Sequence, residues 1–572
     1  MATVDQTGFF QAPPRLRDEW EDDVALQRLL ERVLPRDVLA EVTPSLAEMG
    51  HLAATDLYEL HLQMDDRRNE PRLVQFDAWG NRVDDIVVSP IWDRIGDVAA
   101  EHGVVATAYE RAHGPWSRVH QMALAYLYGP SSGLYSCPLA MTDGAARTLL
   151  VHGDRARIDR ALPRLMSRDP ATKWTSGQWM TERTGGSDVG ISETTATEDV
   201  GGQWRLHGTK WFTSAVSSEM ALTLARPEGG GTGGRGLAMF YVEVRDDSGR
   251  LNDIRVLRLK DKLGTRQMPT AELALDGTRA WPVGGLGDGT RNITPMLAIT
   301  RLWNAVTAAA GMRRGLALAR DYAQRRVAFG LPIADQPLHQ ATLAGMRVQH
   351  EAALQLTFRA VELQGREEAG AITDAERTVL RLLLPIQKLV TGRQAVAAAS
   401  EALEAFGGAG YIEDTHLPHL LRDAQVLPIW EGTTNVLSLD ALRAVQRDDA
   451  LQPFIEEVRR AATATTDARL ASVGKMAVEA AEHAAAWMDV TLSTAGIDAA
   501  QHGARRWAMT LGRSLQAALL AAQAQHDLDT HSDGAARHVA QRFVADGIDL
   551  LEDPGVMLAA DAALAQGRPL QP

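Results

Sequence analysis

The stretch MTERTGGSD at residues 180–188 marks the point where the character of the sequence changes. From about residue 176 to 285, short segments of alternating polarity, such as GLAMFYVEV and TAELALDG, are separated by clusters of Gly, Asp and Ser. Alternation with a period of two, bounded by turn residues, is typical of antiparallel strands. We therefore predict an antiparallel β domain over residues 176–285, in which residues 180–188 form a turn between two strands.

Helical periodicity dominates on both sides of this β domain. Residues 1–175 mix it with segments such as PRLVQFDAWGNRVDD, which predicts an N-terminal helical domain with irregular connections. Over residues 286–445, apolar residues recur at spacings of three and four, as in RLWNAVTAAAGMRRGLALARDYAQRR, which predicts a helical bundle. The Ala-rich remainder, 446–572, is predicted to be an extra helical domain. The predicted fold class is therefore α+β.

The composition is that of an ordinary globular protein, with 45% hydrophobic and 23% charged residues. A formal net charge of −14 argues against general affinity for polyanions such as nucleic acids. The single cysteine, Cys137, has no disulfide partner, and we expect no metal site. We find neither a signal-peptide pattern nor an apolar run of about 18 residues, so we expect a cytoplasmic protein without membrane association.

A dinucleotide-binding pattern, G-x-G-x-x-G, occurs at Gly229, Gly231 and Gly234. That fingerprint requires a helix directly after the glycines, because the N-terminus of the helix binds the pyrophosphate. Here the next segment is the strand-like GLAMFYVEV. We therefore interpret the glycines as a flexible hairpin loop and expect no Rossmann domain.

Three other motifs are ambiguous when each is taken alone. The turn 180–188 and the segment KWFT at 210–213 fit a phosphate cradle beside an aromatic contact, or simply a turn and a core tryptophan. Arg326, near the end of a predicted helix, fits a ligand contact or a residue that complements the helix dipole. In the segment IWEGT at 429–433, Glu431 fits a general base in an apolar setting or a first-turn residue near a helix N-cap.

The order and separation of these motifs resemble the acyl-CoA dehydrogenase family. The shared pattern is M-T-E-x-x-G-G-S-D and K-W-F-T in a β domain, then R-x-x-F-G, F-G-G-x-G-Y and W-E-G-T in a helical bundle, over roughly residues 90–445. The chain length, the segment CPLAMTDGAARTLL and the QPL after R-x-x-F-G most resemble the AidB-like branch, which has an extra C-terminal helical domain. The resemblance implies an FAD cofactor and a homodimer or homotetramer.

The resemblance also implies roles for individual residues. Glu431 is implied as the catalytic base that removes the α-proton of an acyl thioester while a hydride leaves the β-carbon for flavin N5. Thr300 stands where some members place the base instead, and Arg301 is implied as a substrate-binding residue. The implied FAD contacts are Met180, Thr181, Gly186, Ser187, Trp211, Thr213, Thr433 and Asn435, together with Arg326, Phe329, Gln336, Gly407 and Gly408 toward the FAD of a neighbouring subunit.

Two functional hypotheses are open at this point. The first is an FAD-dependent acyl-CoA dehydrogenase that acts on acyl-CoA or another acyl thioester and passes electrons to an acceptor flavoprotein; an oxidase that uses oxygen is not separable by sequence. The second is a flavoprotein of the same fold that mainly binds an acyl thioester or DNA. DNA is disfavoured by charge, because residues 451–572 contain ten Lys and Arg against fifteen Asp and Glu, and each phosphate contact needs a cation.

Overall fold

Helices, then a small β barrel, then more helices follow one another along the chain in the computed structural model, which describes residues 12–552 and 554–570. This order confirms the predicted α+β fold class. The N-terminal part contains the helices α1 (Val24–Val33), α2 (Arg36–Ala54), α3 (Asp56–Met64), α4 (Pro90–Glu101), α5 (Ala106–Glu110), α6 (Ser117–Tyr128), α7 (Ser136–His152) and α8 (Arg155–Leu165).

One segment of the N-terminal part, PRLVQFDAWGNRVDD, is a β-hairpin rather than the irregular connection that we predicted. Its strands β1 (Arg72–Phe76) and β2 (Arg82–Val87) pair antiparallel. Strand β2 is stabilised from a distant part of the chain, since Arg82 donates to the carbonyl of Val256 at 3.0 Å and Asp84 accepts from the Val256 backbone N–H at 3.0 Å. Contacts between segments so far apart are invisible to local periodicity.

The β domain contains the strands β3 (Ser176–Trp179), β4 (Thr195–Glu198), β5 (Trp204–Ser214), β6 (Met220–Pro227), β7 (Ala238–Glu243), β8 (Ile254–Leu259) and β9 (Thr270–Val283). The sheet closes into a barrel, because β4, β5, β9 and β7 pair in turn and β6 pairs with both β4 and β7. Strand β6 is parallel to β3 and β4, so the sheet is mixed where we predicted an antiparallel one. Side chains alternate between the two faces of the sheet in parallel and antiparallel strands alike. Alternating polarity therefore does not show in which direction a strand runs.

The glycines of the G-x-G-x-x-G pattern lie in the connection between the antiparallel strands β6 and β7. This confirms the predicted hairpin loop. A cluster of buried apolar side chains from several strands, including Trp179, Leu206 and Phe240, forms the core of the barrel.

The helical bundle follows the barrel. Its elements are α9 (Gly289–Asn292), α10 (Thr294–Arg325), β10 (Val327–Ala328), β11 (Leu331–Pro332), α11 (Pro337–Glu368), α12 (Asp374–Ala405), α13 (His419–Ala424) and α14 (Thr434–Asp448). Helix α12 begins at a capping box, in which Thr373 and Glu376 exchange side-chain and backbone hydrogen bonds.

The C-terminal part adds α15 (Leu451–Ala462), α16 (Ala468–Thr494), α17 (Gly496–His531), α18 (Ala535–Ala545) and α19 (Pro554–Ala565). Trp507 and Leu511 on α17 belong to the same buried apolar cluster as Ile386 on α12. The helices approach closely at Gly512, where a Cβ would lie 2.6 Å from Val390 Cγ2. The extra helices therefore extend the core of the bundle. None of the helices in the described part of the chain has the sustained apolar stretch needed to cross a bilayer.

Candidate active site

A cleft with a volume of about 1390 Å³ lies between the β barrel and the helical bundle. Its charged lining residues are the basic Arg147, Lys262, Arg291, Arg301, Arg377, Arg381, Arg422, Arg443 and Arg447 and the acidic Glu367, Glu431 and Asp440. The lining is thus strongly basic, although the whole chain carries a net charge of −14. A concave site of one charge sign raises the local concentration of ligands of the opposite sign, so this cleft suits an anionic ligand.

The turn at residues 180–188 is held against the barrel by a buried ion pair. Glu182 and Lys210 are 3% and 0% exposed, and the Lys210 ammonium donates to Glu182 Oε1 at 2.7 Å and to the Leu224 carbonyl at 2.7 Å. Glu182 Oε2 also accepts from the backbone N–H of Glu193 at 2.6 Å. Burial alone would raise the pKa of Glu182, but the Lys210 ammonium holds this pKa below its ordinary value. The pair therefore fixes the turn to strands β5 and β6.

Four predicted cofactor residues on this turn line the cleft: Met180, Thr181, Gly186 and Ser187. Gly186 is required by close packing within the turn, because a Cβ there would lie 2.5 Å from Thr181 Oγ1. The turn therefore presents small and hydroxyl-bearing residues to the cleft, where a bulkier side chain at residue 186 would not fit.

Strand β5 places different side chains in the cleft from those the motif implied. Phe212 and Ser214 line the cleft, whereas Trp211 and Thr213 are not among the lining residues. Thr213 is 1% exposed and donates to the Ala271 carbonyl at 2.5 Å, and the Lys260 ammonium lies 3.6 Å from the centre of the Trp211 ring. The register between β5 and β9 shifts between Lys210 and Thr213, so the side chains of this segment do not alternate regularly. The implied FAD contacts of Trp211 and Thr213 stay predictions.

Glu431 lies in the cleft on a turn between α13 and α14. Its φ of +58° is left-handed, and Gly432 follows with a φ of +109°. Thr300 Oγ1 donates to Glu431 Oε2 at 2.7 Å, and Gln178 Nε2 lies 3.5 Å from the same oxygen. A non-glycine residue in the left-handed region lowers the stability of the folded protein by of order 1–3 kcal/mol. Such strain is typical of functional sites, where the position of a side chain matters more than stability.

Two cations hold the backbone of this turn. Arg301 Nε donates to the Glu431 carbonyl at 3.3 Å, and the buried Lys388 ammonium donates to the Gly432 carbonyl at 2.7 Å. Burial lowers the pKa of Lys388 to about 7, with nearby Glu431 opposing the shift. Arg301 lines the cleft, as predicted for a substrate-binding residue, but its guanidinium is engaged with the turn and with Asp440 at 2.8 Å.

Sequence reasoning missed Lys388, Gln178 and the acceptor Asp440. Asp440 bridges Arg301 and Arg381, at 2.8 and 2.9 Å, and fixes the orientation of Arg301. The one available signal was Lys388 itself, a single cation within the apolar run LLLPIQKLV. Such a lysine is buried only when it has a specific partner.

The remaining residues near this turn have distinct environments. Thr433 lines the cleft and accepts from the backbone N–H of Val436 at 3.5 Å as the N-cap of α14, whereas Asn435 is exposed and outside the lining.

Cys137 also lines the cleft; burial, with Glu431 as a second cause, raises the pKa of its thiol to about 12. A thiol that stays protonated is a poor nucleophile.

The other five predicted residues, Arg326, Phe329, Gln336, Gly407 and Gly408, lie outside the cleft lining. The ends of α10 and α12 meet through Tyr322, whose hydroxyl donates to the Phe406 carbonyl at 3.3 Å. Gln336 Nε2 donates to the Ala328 carbonyl at 2.9 Å and closes the loop that carries Phe329. Phe329 is 98% exposed with a φ of +53°, so a large apolar side chain is held out from the surface.

Most of the clustered arginines in the C-terminal helices form ion pairs with nearby carboxylates. Arg459 pairs with Glu456 and Glu482, both at 2.6 Å, and Arg460 pairs with Glu457 at 2.6 Å. Arg506 pairs with Glu552 at 3.1 Å. The positive charge that DNA phosphates would need is therefore largely neutralised within the protein.

Family models match three consecutive parts of the chain. The acyl-CoA dehydrogenase C-terminal domain matches residues 287–446, and the acyl-CoA dehydrogenase middle domain matches residues 177–278. The N-terminal domain of the adaptive response protein AidB matches residues 11–170.

Similar proteins point the same way. The chain is 45% identical over 531 residues to acyl-CoA dehydrogenase family member 11 of Caenorhabditis elegans, covering 90% of this chain and 85% of that protein. It is 33% identical to the putative acyl-CoA dehydrogenase AidB of Escherichia coli (strain K12), over 68% of this chain and 72% of that protein. The crystal structure of C. elegans ACDH-11 in complex with C11-CoA superposes with a TM-score of 0.94 at 41% identity, covering 99% and 98% of the two chains. The chain therefore belongs to the acyl-CoA dehydrogenase family, in its AidB-like branch.

Proposed function

We propose that this protein is an acyl-CoA dehydrogenase that oxidises the α,β-bond of an acyl-CoA, with Glu431 as the base. The observation that carries the proposal is the setting of the Glu431 carboxylate. It lies in a basic cleft and is oriented by the neutral donors Thr300 and Gln178, and no Lys or Arg of the described residues forms an ion pair with it. A carboxylate that is oriented but not neutralised by a cation is free to accept a proton.

FAD is the cofactor of the acyl-CoA dehydrogenase family, and the residues of the cleft fit it. The turn that carries Thr181, Gly186 and Ser187 offers hydroxyls and backbone N–H groups, and the basic lining complements a pyrophosphate. Phe212, 59% exposed and facing the cleft, offers an aromatic surface for the flavin ring. We therefore assign the aromatic and hydroxyl contacts of β5 to Phe212 and Ser214.

In this mechanism the chain binds, orients and moves a proton. The basic cleft binds the anionic acyl-CoA, and Glu431 Oε2 removes the α-proton of the thioester. The Glu431 backbone N–H donates to the thioester oxygen and so stabilises the negative charge that develops there. Arg301 and Lys388 hold the Glu431–Gly432 turn in place during the transfer. FAD, when bound, supplies the acceptor for the hydride that leaves the β-carbon, and an electron-transferring flavoprotein would reoxidise it.

We further propose that the functional unit is a homodimer or homotetramer. Phe329 is 98% exposed at the end of α10, and Gly407 and Gly408 have nothing within 4 Å of where a Cβ would lie. An apolar side chain next to open backbone suits a contact with a neighbouring subunit and its FAD. Arg326 and Gln336 lie on the same loop and would belong to that contact.

Acyl-thioester binding without turnover is the alternative function. The C. elegans relative has been crystallised with C11-CoA, which supports an acyl-CoA ligand under either hypothesis. Glu431 favours turnover, because a protein that only binds has no use for an oriented base at this position. DNA binding receives no support from the paired arginines of the C-terminal helices.

Anaerobic mixing of the flavoprotein with a panel of acyl-CoAs tests the proposal. We expect loss of the oxidised flavin absorption with at least one acyl-CoA, and a reduction rate at least a thousandfold lower in Glu431→Gln. Glu367→Gln, which changes another carboxylate of the cleft, is the matched control and should reduce at nearly the wild-type rate. The mechanism is wrong if Glu431→Gln reduces as fast as the wild type. Tight binding of acyl-CoA without any flavin reduction would support the alternative.

A further inference from the structure

We propose that Glu31, His526 and His531 form a binding site for a zinc ion, which joins α1 to the end of α17. One ligand atom from each of the three residues lies within 4.8 Å of the other two. Glu31 is about 500 positions from the two histidines in sequence, and the packing of α1 against α17 brings it to them. None of the three lines the cleft, so the site is separate from the proposed catalytic function.

The donor set is one that zinc prefers. Two imidazole nitrogens and one carboxylate oxygen, with a water in the fourth position, form a common zinc environment. Zinc lies about 2.0–2.2 Å from such ligands, so neighbouring donor atoms of a tetrahedral site are about 3.3–3.5 Å apart. His531 Nε2 and Glu31 Oε2 are 2.7 Å apart, so small side-chain rotations would open the pair around an ion.

His526 distinguishes this cluster from a simple histidine–carboxylate ion pair. His531 and Glu31 satisfy each other, but His526 Nε2 is shielded from solvent and has no hydrogen-bond partner among the residues that the structure describes. A buried polar atom without a hydrogen-bond partner destabilises the folded protein. Rotation of this imidazole onto a metal ion would remove this destabilisation.

The surrounding contacts hold the three ligands in position. Arg28, three residues before Glu31 on α1, pairs with Asp527 at 3.2 Å and with Asp533 at 2.7 Å. Asp527 directly follows His526 and Asp533 lies two residues after His531, so these ion pairs fix α1 against this end of α17. Because the backbone of both helices is already held here, only the three ligand side chains need to be ordered when an ion binds.

Metal titration of the full-length flavoprotein tests the proposal. After treatment with EDTA and its removal, Zn²⁺ is titrated against a chromophoric chelator, and Co²⁺ is added while absorption is followed at wavelengths beyond the flavin bands. We expect one Zn²⁺ per chain and the visible absorption of four-coordinate Co²⁺. His526→Ala, His531→Ala and Glu31→Gln should each weaken Zn²⁺ binding at least tenfold. His483→Ala is the matched control, because His483 forms an isolated pair with Asp549 at 2.5 Å.

Each outcome decides the proposal. Stoichiometric binding that is lost in the three variants and kept in His483→Ala supports it. The absence of stoichiometric binding, or equal binding by the three variants, overturns it. Flavin content and far-UV circular dichroism verify that each variant is folded. Should His526→Ala not fold, His526→Phe keeps the ring volume without a ligand atom and gives the same test.

Discussion

Thr300 Oγ1 donates a 2.7 Å hydrogen bond to Glu431 Oε2 across the junction of α10 and the turn before α14. The same hydroxyl lies 3.1 Å from the Met296 carbonyl on its own helix, so its proton has a second acceptor. The geometry lets the hydroxyl donate to Glu431 while the carboxylate is charged, and turn to Met296 once the carboxyl is protonated. Thr300 is therefore a positioning residue for the proposed base.

Thr300→Val should slow flavin reduction about tenfold, because a hydrogen bond to a charged acceptor contributes about 1.5–3 kcal/mol. Rapid-mixing measurements of flavin reduction at saturating acyl-CoA check the rate, and the dependence on acyl-CoA concentration shows whether binding is also changed. Thr300→Ser keeps the hydroxyl and should restore the wild-type rate. An unchanged rate in the valine variant would show that the hydrogen bond is not used.

The lining of the cleft predicts different effects for two neighbouring aromatic residues of β5. Phe212 lines the cleft, whereas the Trp211 ring lies against the Lys260 ammonium outside the lining. Phe212→Ala should lower the retained FAD and alter the flavin absorption spectrum. Trp211→Ala should mainly lower the melting temperature, because it removes packing and a cation–π contact of about 0.5–1 kcal/mol. If Trp211→Ala changed the flavin spectrum and Phe212→Ala did not, our assignment of the cleft-facing residue would be reversed.

Lys388 should make the stability of the protein depend on pH above neutrality. Burial lowers its pKa from 10.5 to about 7, so between these values the unfolded chain binds a proton that the folded chain does not. Stability then rises with pH by about 1.4 kcal/mol per unit within that window, and the penalty of burying the charge is fully present below it. Lys388→Met should lose this component, seen as a flatter dependence of the free energy of unfolding between pH 7 and 9 in urea titrations. Equal slopes in both proteins would contradict it.

The exposed Phe329 predicts where the subunits meet. Phe329→Glu should shift the protein toward smaller assemblies in light scattering and reduce its FAD content, because a buried charge without a partner is costly at an interface. Phe76→Glu provides the control, since Phe76 is 54% exposed on the hairpin of β1 and β2. Retention of both assembly and FAD in Phe329→Glu would exclude this surface from the interface.

Much of the fold was accessible from the sequence, because periodicity and turn residues are local properties. The change from helical spacing to strand alternation near residue 176 and the return near 286 both match the observed elements. The motif around residues 180–188 and Glu431, which the sequence singled out separately, both line one cleft in the structure. The parallel pairing of β6 and the hairpin of β1 and β2 were missed, because strand direction and distant partners leave no local pattern.

The sequence by itself determined the order of the domains, the family resemblance and the residue proposed as the base. Only the tertiary structure decided what surrounds that base: a threonine and a glutamine on the carboxylate, and an arginine and a buried lysine on the turn behind it. It also shows that Phe212 and Ser214 of β5 line the cleft. Three of the four contacts around the base join residues more than a hundred positions apart, and the fourth joins Lys388 to Gly432, 44 positions away. Only the packing of the elements brings such residues together, and it also decides which side chains of a strand face a cleft.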